Sequence, residues 1–217
     1  TINPNIWSKK KGVLGFFANF YNQTFITAEN EQERQGDSFK LNPFEINEDA
    51  LFSLNFGFRN SLYFNKDLQR HSITYLYADN QLKQQLLVGN QENINKIHQL
   101  DYAHKFANFW LINLSTNTAT TILETENFED RNFEVDSYSI QPKISFLYSK
   151  NNRFSAFFDY KNKQNTIGDL ETLSQQEYGV EYFYMDKKSN QISINFNLFF
   201  NDFKGSTNSP VAYQMLE

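Results

Sequence analysis

The stretch Ala50-Leu-Phe-Ser-Leu-Asn-Phe-Gly-Phe-Arg-Asn-Ser-Leu-Tyr-Phe64 decides the fold. In an extended chain Ala50, Phe52, Leu54, Phe56, Phe58, Leu62 and Phe64 share one side, while Ser53, Asn55, Gly57, Arg59, Ser61 and Asn65 take the other. Asn60 interrupts the apolar row and Tyr63 the polar one. A period of two held over this length specifies a β-strand with one greasy and one wet face. The run exceeds the roughly 5–6 residues typical of globular sheets and is long enough to cross a bilayer when tilted, which takes about 9–11.

Composition agrees with that reading. Hydrophobic residues make up only 40% of the 217-residue chain, yet it carries 23 Phe and 12 Tyr. Mean hydropathy is negative, and no run approaches the roughly 20 apolar residues of a membrane-crossing helix. A membrane β-barrel keeps a modest average because its apolar residues alternate with polar ones, and it uses aromatics in girdles at both interfaces. The net charge of −5, with 20 basic residues scattered among 25 acidic ones, leaves no basic stripe for nucleic acid. With no cysteine there is neither a disulfide framework nor a thiolate metal site.

The last third shows the architecture most clearly. Ile140, Ile144, Phe146 and Tyr148 alternate with Gln141, Lys143, Ser145 and Ser149, and Pro142 falls near the start of the run, where a strand tolerates it best. Lys150-Asn-Asn-Arg153 reads as a turn, after which Phe154, Ala156, Phe158 and Tyr160 resume the apolar row. Folding there sets Tyr148 opposite Phe154, Phe146 opposite Ala156 and Ile144 opposite Phe158. A second hairpin turns through Asp186–Asn190, with Tyr184 facing Ile192 and Tyr182 facing Ile194. A long polar link, Asn162 to Gln176, separates the two. Short turn, long loop, short turn is the rhythm of outer-membrane barrels.

Upstream, Val13 to Ala28 reads as an aromatic strand followed by an acidic loop, Glu29–Asp37. Asn65-Lys-Asp67 turns into a strand with Ile73, Tyr75 and Tyr77, and Leu82–Val88 fits either strand or a short helical turn. Leu100, Tyr102 and Phe106 form one row and Trp110, Ile112, Leu114 and Ile122 another, with a break near Asn108; Glu124–Asn132 is an acidic loop. Nothing sustains amphipathic helical spacing, and no linker marks a second domain.

In a barrel, the even-numbered row of the last third touches lipid. The odd row, with Gln141, Lys143, Ser145, Ser155, Asp159, Lys161, Glu177, Glu181, Ser193, Asn195 and Asn197, faces the interior. Leu147, Phe157, Phe183 and Phe199 break the odd row; strand ends projecting beyond the membrane explain them more simply than a constriction. A soluble β-sandwich also alternates, but its strands are shorter and its turns come every 8–12 residues or so.

Asp130-Arg-Asn-Phe133, Ser137-Tyr-Ser-Ile-Gln-Pro142, Asn165-Thr-Ile-Gly168 and Asn208-Ser-Pro-Val-Ala-Tyr-Gln-Met-Leu-Glu217 carry a resemblance. On these motifs the stretch from Glu129 to Glu217 resembles large outer-membrane β-barrel proteins of Bacteroidota, the class that includes TonB-dependent-receptor-like and secretion-associated barrels. The resemblance implies strands and loops and brings no functional residue with it. It implies further strands after Glu217, and the start at Thr1-Ile-Asn-Pro4 shows no leader. The expectation is one β-barrel segment, 1–217, of a longer protein.

Candidate chemistry is sparse. His98 and His104 share one strand face but stand about 20 Å apart at strand rise, too far for one metal ion, and His71 is the third histidine. The acidic loops Glu29–Asp37 and Glu124–Asp130 lack the spacing of a dedicated Ca²⁺ loop. Asp159, Glu177 and Glu181 are the carboxylates to consider as a hydrolytic pair, although carboxylates belong on a wet face in any case. Trp7 and Trp110 suit a sugar-stacking platform or, more simply, an interface girdle.

The expectation is therefore an all-β fold, an antiparallel up-and-down meander forming a transmembrane β-barrel or partial barrel of about ten long strands. It places the chain in the cell outer membrane, with outer-membrane lipid and other envelope proteins as partners and no nucleic acid, cofactor, metal or catalytic residue. Its work is passage, export or surface display of a solute or polypeptide. The alternative is a surface-exposed or soluble β-sheet module that binds glycan or protein through aromatic residues.

Overall fold

The computed structural model describes residues 5–8, 19–32, 51–65, 71–86, 89–106, 109–149, 151–167, 171–186 and 190–205. They form one sheet of ten strands: β1 (Asn5–Ser8), β2 (Asn19–Gln32), β3 (Leu51–Phe64), β4 (His71–Leu86), β5 (Gly89–Phe106), β6 (Trp110–Thr125), β7 (Phe133–Ser149), β8 (Asn152–Asn165), β9 (Thr172–Met185) and β10 (Gln191–Lys204). Each strand pairs antiparallel with its sequence neighbour. The chain is thus the all-β, up-and-down meander that the alternation specifies. Among the described residues no pairing joins β10 to β1, so the sheet is open, as in a partial barrel. The only helical element there is a single 3₁₀ turn, Glu129–Arg131, and no helix is long and apolar enough to cross a membrane.

Register sorts the side chains onto two faces. One unbroken row of directly opposed residues runs Phe200, Gln176, Tyr160, Ile140, Thr116, Leu100, Tyr75, Leu62, Asn22 from β10 to β2. Because opposed residues share a face, this row and its two-residue neighbours define an apolar face with Phe56, Ile144 and Phe196. The intervening residues define a polar face. The row also shows a stagger. Phe200 is nine residues into β10, whereas Leu62 is two residues from the end of β3. Stagger accumulating from strand to strand is what tilts strands when a sheet closes.

Burial is inverted relative to a water-soluble sheet. Ile192, Ile194, Phe196, Leu198 and Phe200 are all exposed on the apolar face, as are Ile140, Ile144, Phe154 and Tyr182. Every buried strand residue, from Ser61 and Ala78 to Ser145, Ser155, Lys163 and Asn165, lies on the polar face. Among the described residues no second layer covers either face. Neighbours on one face shield each other only when the sheet curls toward that face, so the polar face is the concave one. A small apolar core, Phe133, Val135 and Leu173 with Leu123 and Phe203 against it, sits at the end of that face beneath the β6–β7 and β8–β9 loops.

Boundaries differ from the sequence reading where polar residues extend strands. The β8–β9 link shrinks to residues 166–171, because Asn162–Asn165 and Thr172–Gln176 keep pairing after the apolar alternation stops. Glu29–Gln32 likewise belong to β2 rather than to a loop, Glu124 to β6, and Leu82–Leu86 to β4; Val13, residues 33–37 and residues 87–88 lie outside the described residues. The β7–β8 hairpin is two residues tighter than expected: Phe146 opposes Phe154 and Ile144 opposes Ala156, with an irregularity between Leu147 and Ser149. One residue of the shift comes from Ser149 pairing with Asn152 and the other from the irregularity between Leu147 and Ser149. Since the shift is even, face assignment survives. Pro142 stands in the middle of β7, not near its start, and the β7–β8 ladder skips Gln141 and Pro142, as a residue without an N–H requires. The β9–β10 register, Tyr184 to Ile192 and Tyr182 to Ile194, is the expected one.

Candidate functional site on the polar face

The polar face is built in layers of opposed residues. Nearest the β7–β8 and β9–β10 turns, Ser145, Ser155 and Glu181 form one layer; Lys143, Phe157 and Gly179 form the next; then come Asp159 and Glu177, with Gln141 joined to Asp159 by its side chain across the gap in the ladder. Lys143 on β7 reaches across β8 to Glu181 on β9, with Nζ 2.7 Å from Oε2. Small side chains under that bridge give it room: Ser145 and Ser155 are buried, their hydroxyls 2.9 Å apart. The Lys143 ammonium also lies 5.6 Å from the Phe157 ring centre.

Phe157 covers Gly179, its directly opposed partner. A Cβ on Gly179 would lie 2.2 Å from the Phe157 ring and 2.9 Å from Asn197 Oδ1. Phe157 is the sixth residue of β8, well inside the strand. It is therefore not at a strand end, and its ring packs over Gly179 on the polar face. A glycine on one strand opposite an aromatic on the next was the available signal.

Of the three carboxylates singled out in the sequence, Asp159 and Glu177 are brought directly opposite each other, and Glu181 sits four residues further along β9, paired with Lys143. Gln141 Nε2 donates to Asp159 Oδ2 at 3.4 Å, and Asp101, on the same face of β5, accepts from Ser115 Oγ at 2.6 Å and Gln99 Nε2 at 2.8 Å. The acids thus form a transverse layer on the wall rather than an isolated pair.

The histidines give a different result. His71 on β4 directly opposes His104 on β5; the rings stack 4.2 Å apart with Nδ1 facing Nδ1. The sequence reading paired His104 only with His98 and missed this contact. Hairpin arithmetic could have found it, since the short turn between Leu86 and Gly89 fixes every opposed pair of β4 and β5. Two facing imidazoles share one proton or offer two nitrogens to a metal. Among the described residues no group of three or more His, Cys, Asp or Glu side chains stands ready for a metal ion. His98 Nδ1 instead meets Tyr75 Oη at 2.8 Å.

The remaining candidates disperse. Glu29 and Glu31 share the polar face of β2, and Glu124 opposes Glu92 on the apolar face. Glu129 and Asp130 are exposed in the 3₁₀ turn with Arg131. Trp110 packs against Phe146, ring centres 4.8 Å apart and tilted by 52°, in the aromatic row nearest the β5–β6 turn; the Trp7 side chain lies outside the described residues. Comparison with protein-family models, curated proteins and solved structures finds no match.

Proposed function

We infer that the chain forms part of a bacterial outer-membrane β-barrel, its apolar face turned to lipid and its concave polar face lining a hydrated interior. The work of such a wall is passage, export or display of a solute or polypeptide.

One observation carries this reading: an exposed apolar band with aromatic residues at both rims. On β7 the band runs from Tyr138 to Tyr148, about 34 Å of strand. Tilted by about 40°, that is about 26 Å of height, against about 25 Å for the apolar belt of outer-membrane barrels. Phe106, Trp110, Phe146 and Tyr182, with Tyr148 one step further out on β7, mark one rim. Tyr77, Tyr138 and Tyr160 mark the other, where Tyr138 Oη donates to Tyr160 Oη at 3.3 Å. Beyond that rim the apolar face of β4–β8 turns polar, with Asp79, Lys96, Thr120, Asp136 and Gln164 opposed in one row. Exposed apolar surface on this scale needs a cover of lipid or protein.

The test is behaviour without detergent. The purified chain is expected to aggregate in plain buffer, to become monodisperse in detergent, and to insert into phosphatidylcholine vesicles with Trp110 fluorescence, read in a Trp7→Phe variant, shifted to the blue. A monodisperse, folded monomer in detergent-free buffer would overturn the reading in favour of a soluble binding module.

A further inference from the structure

β10 is the outermost strand of the sheet, and its far edge has no partner among the described residues. Every residue from Gln191 to Asp202 is exposed. The strand pairs with β9 residue for residue from Gln191 to Lys204 without a bulge. From Gln191 to Asn201 it carries no charge and no proline. Its charged residues, Asp202 and Lys204, stand at its end with Oδ2 and Nζ 4.0 Å apart. Charges, prolines and bulges are what sheet proteins use to keep an edge from pairing. None of them guards this stretch.

The edge also selects its partner. Asp186 N–H donates to the Asn190 carbonyl, in register with Ile192 opposite Tyr184. Alternate residues of a strand turn their backbone groups to alternate sides, so the even residues of β10 bond to β9. The odd ones, among them Ser193, Asn195, Asn197 and Phe199, turn N–H and C=O outward, and they belong to the polar face. Directly opposed residues share a face, so an antiparallel partner must also turn outward the backbone of its polar-face residues. The other edge of the sheet does not supply one. β1 offers only four residues among those described. In β2, by the registers that lead to it from the bond between Glu126 N–H and the Asn90 carbonyl, the outward residues are the even ones, Asn22 to Ala28. Those stand on the apolar face. β10 itself meets the condition.

We propose that two copies of the chain pair through β10, antiparallel about a two-fold axis at Phe196. The uncharged stretch from Gln191 to Asn201 is symmetric about that residue. In this register Ile192 faces Phe200 and Ile194 faces Leu198 on the apolar face, while Asn195 faces Asn197 and Ser193 faces Phe199 on the polar one. The opposed odd residues exchange about a dozen backbone hydrogen bonds. Phe199, 65% exposed although it stands on the polar face, gains a neighbour. A slide of two residues one way sets Asp202 opposite Ile194, and a slide the other way leaves the Phe199–Asn201 end unpaired. The pairing uses the edge alone, so it holds whether lipid or water meets the apolar face.

Light scattering on the full chain, in buffer or detergent according to which keeps it monodisperse, is expected to give the mass of two chains. Asn197→Pro removes an outward N–H that β9 does not use, and an edge strand accepts proline there. It is expected to raise the dimer dissociation constant at least tenfold and to leave the circular dichroism of the sheet unchanged. Oxidative crosslinking reads the register. The chain has no cysteine, so a single introduced thiol meets only its copy. In Phe196→Cys the thiol opposes itself at a Cα separation of about 4.5 Å, which a disulfide spans. This variant is expected to crosslink at least tenfold faster than Ile194→Cys or Leu198→Cys alone, and mixing those two is expected to restore the crosslink between unlike chains. A monomeric parent chain, its edge left to a strand of other origin, would overturn the proposal. So would a dimer indifferent to Asn197→Pro, or one that crosslinks no faster at 196 than at 194 and 198. Should Asn197→Pro fail to fold, the three thiol variants decide. A monomer in detergent would sink the pairing and leave the lipid reading standing, whereas a well-behaved dimer in plain buffer would do the reverse.

Discussion

Phe196 and Asn197 are neighbours on the exposed edge strand β10 and point to opposite faces of the sheet. Phe196 is 59% exposed on the apolar face in line with Val180, Ala156 and Ile144; Asn197 points to the concave face opposite Gly179. On β7 and β8 the contrast is clear, with Ile144 and Phe154 exposed on the apolar face while Ser145 and Ser155 are buried on the polar one. Burial ordinarily sorts residues by polarity because water surrounds the whole protein. Here the sort runs the other way, as it would if the proposed reading holds and lipid meets one face while water meets the other.

The largest expected effect follows from that difference. Phe196→Arg should cost about 2–4 kcal/mol of folding stability in vesicles if that position lies near the bilayer midplane. Asn197→Arg, one residue on, should cost well under half as much. Urea titrations of both variants in phosphatidylcholine vesicles measure the contrast. Equal losses, or a greater loss at Asn197, would break the assignment of faces.

Gly179→Ala probes the concave side, and its effect is smaller. The added methyl group would meet the Phe157 ring at 2.2 Å, and overpacking of this kind costs about 1–3 kcal/mol. Replacing glycine within a strand returns about 0.5–1 kcal/mol through backbone entropy, so the net loss should be about 1 kcal/mol. In a Phe157→Leu background the same change should be neutral or stabilising. A loss that persists without the ring would mean that Phe157 is not what confines Gly179.

What could be read from residues alone follows the same division. The apolar face was legible because Phe, Leu and Ile recur every second residue from Phe52 to Phe64, Asn60 excepted, and from Ile192 to Phe200, and a period of two has one structural meaning at that length. Face assignment survived even where the β7–β8 register was misjudged, since an error of two residues keeps parity. The strand ends were not legible. Asn162–Asn165 and Glu29–Gln32 are polar on both sides of the strand, so pairing continues with no hydrophobic signal to mark it. The site was illegible for a related reason. Lys143 and Glu181 lie on strands that are not neighbours and meet only because Ser155 leaves room between them, which no spacing within one strand encodes.

That ion pair gives the smallest effect and the finest distinction. Lys143 and Glu181 side chains are 28% and 27% exposed, so water still reaches both. For a pair with that access the coupling expected from a double-mutant cycle with Lys143→Met and Glu181→Gln is about 0–1 kcal/mol, shrinking as salt is raised. Each single substitution leaves a partner that water can solvate, so neither should approach the penalty of an uncompensated buried charge, about 3–5 kcal/mol. A salt-insensitive coupling above about 2 kcal/mol would mean that the concave face is drier than its serines, asparagines and carboxylates imply. The two faces would then differ in packing rather than in solvent, and a hydrated passage along this wall would lose its physical basis.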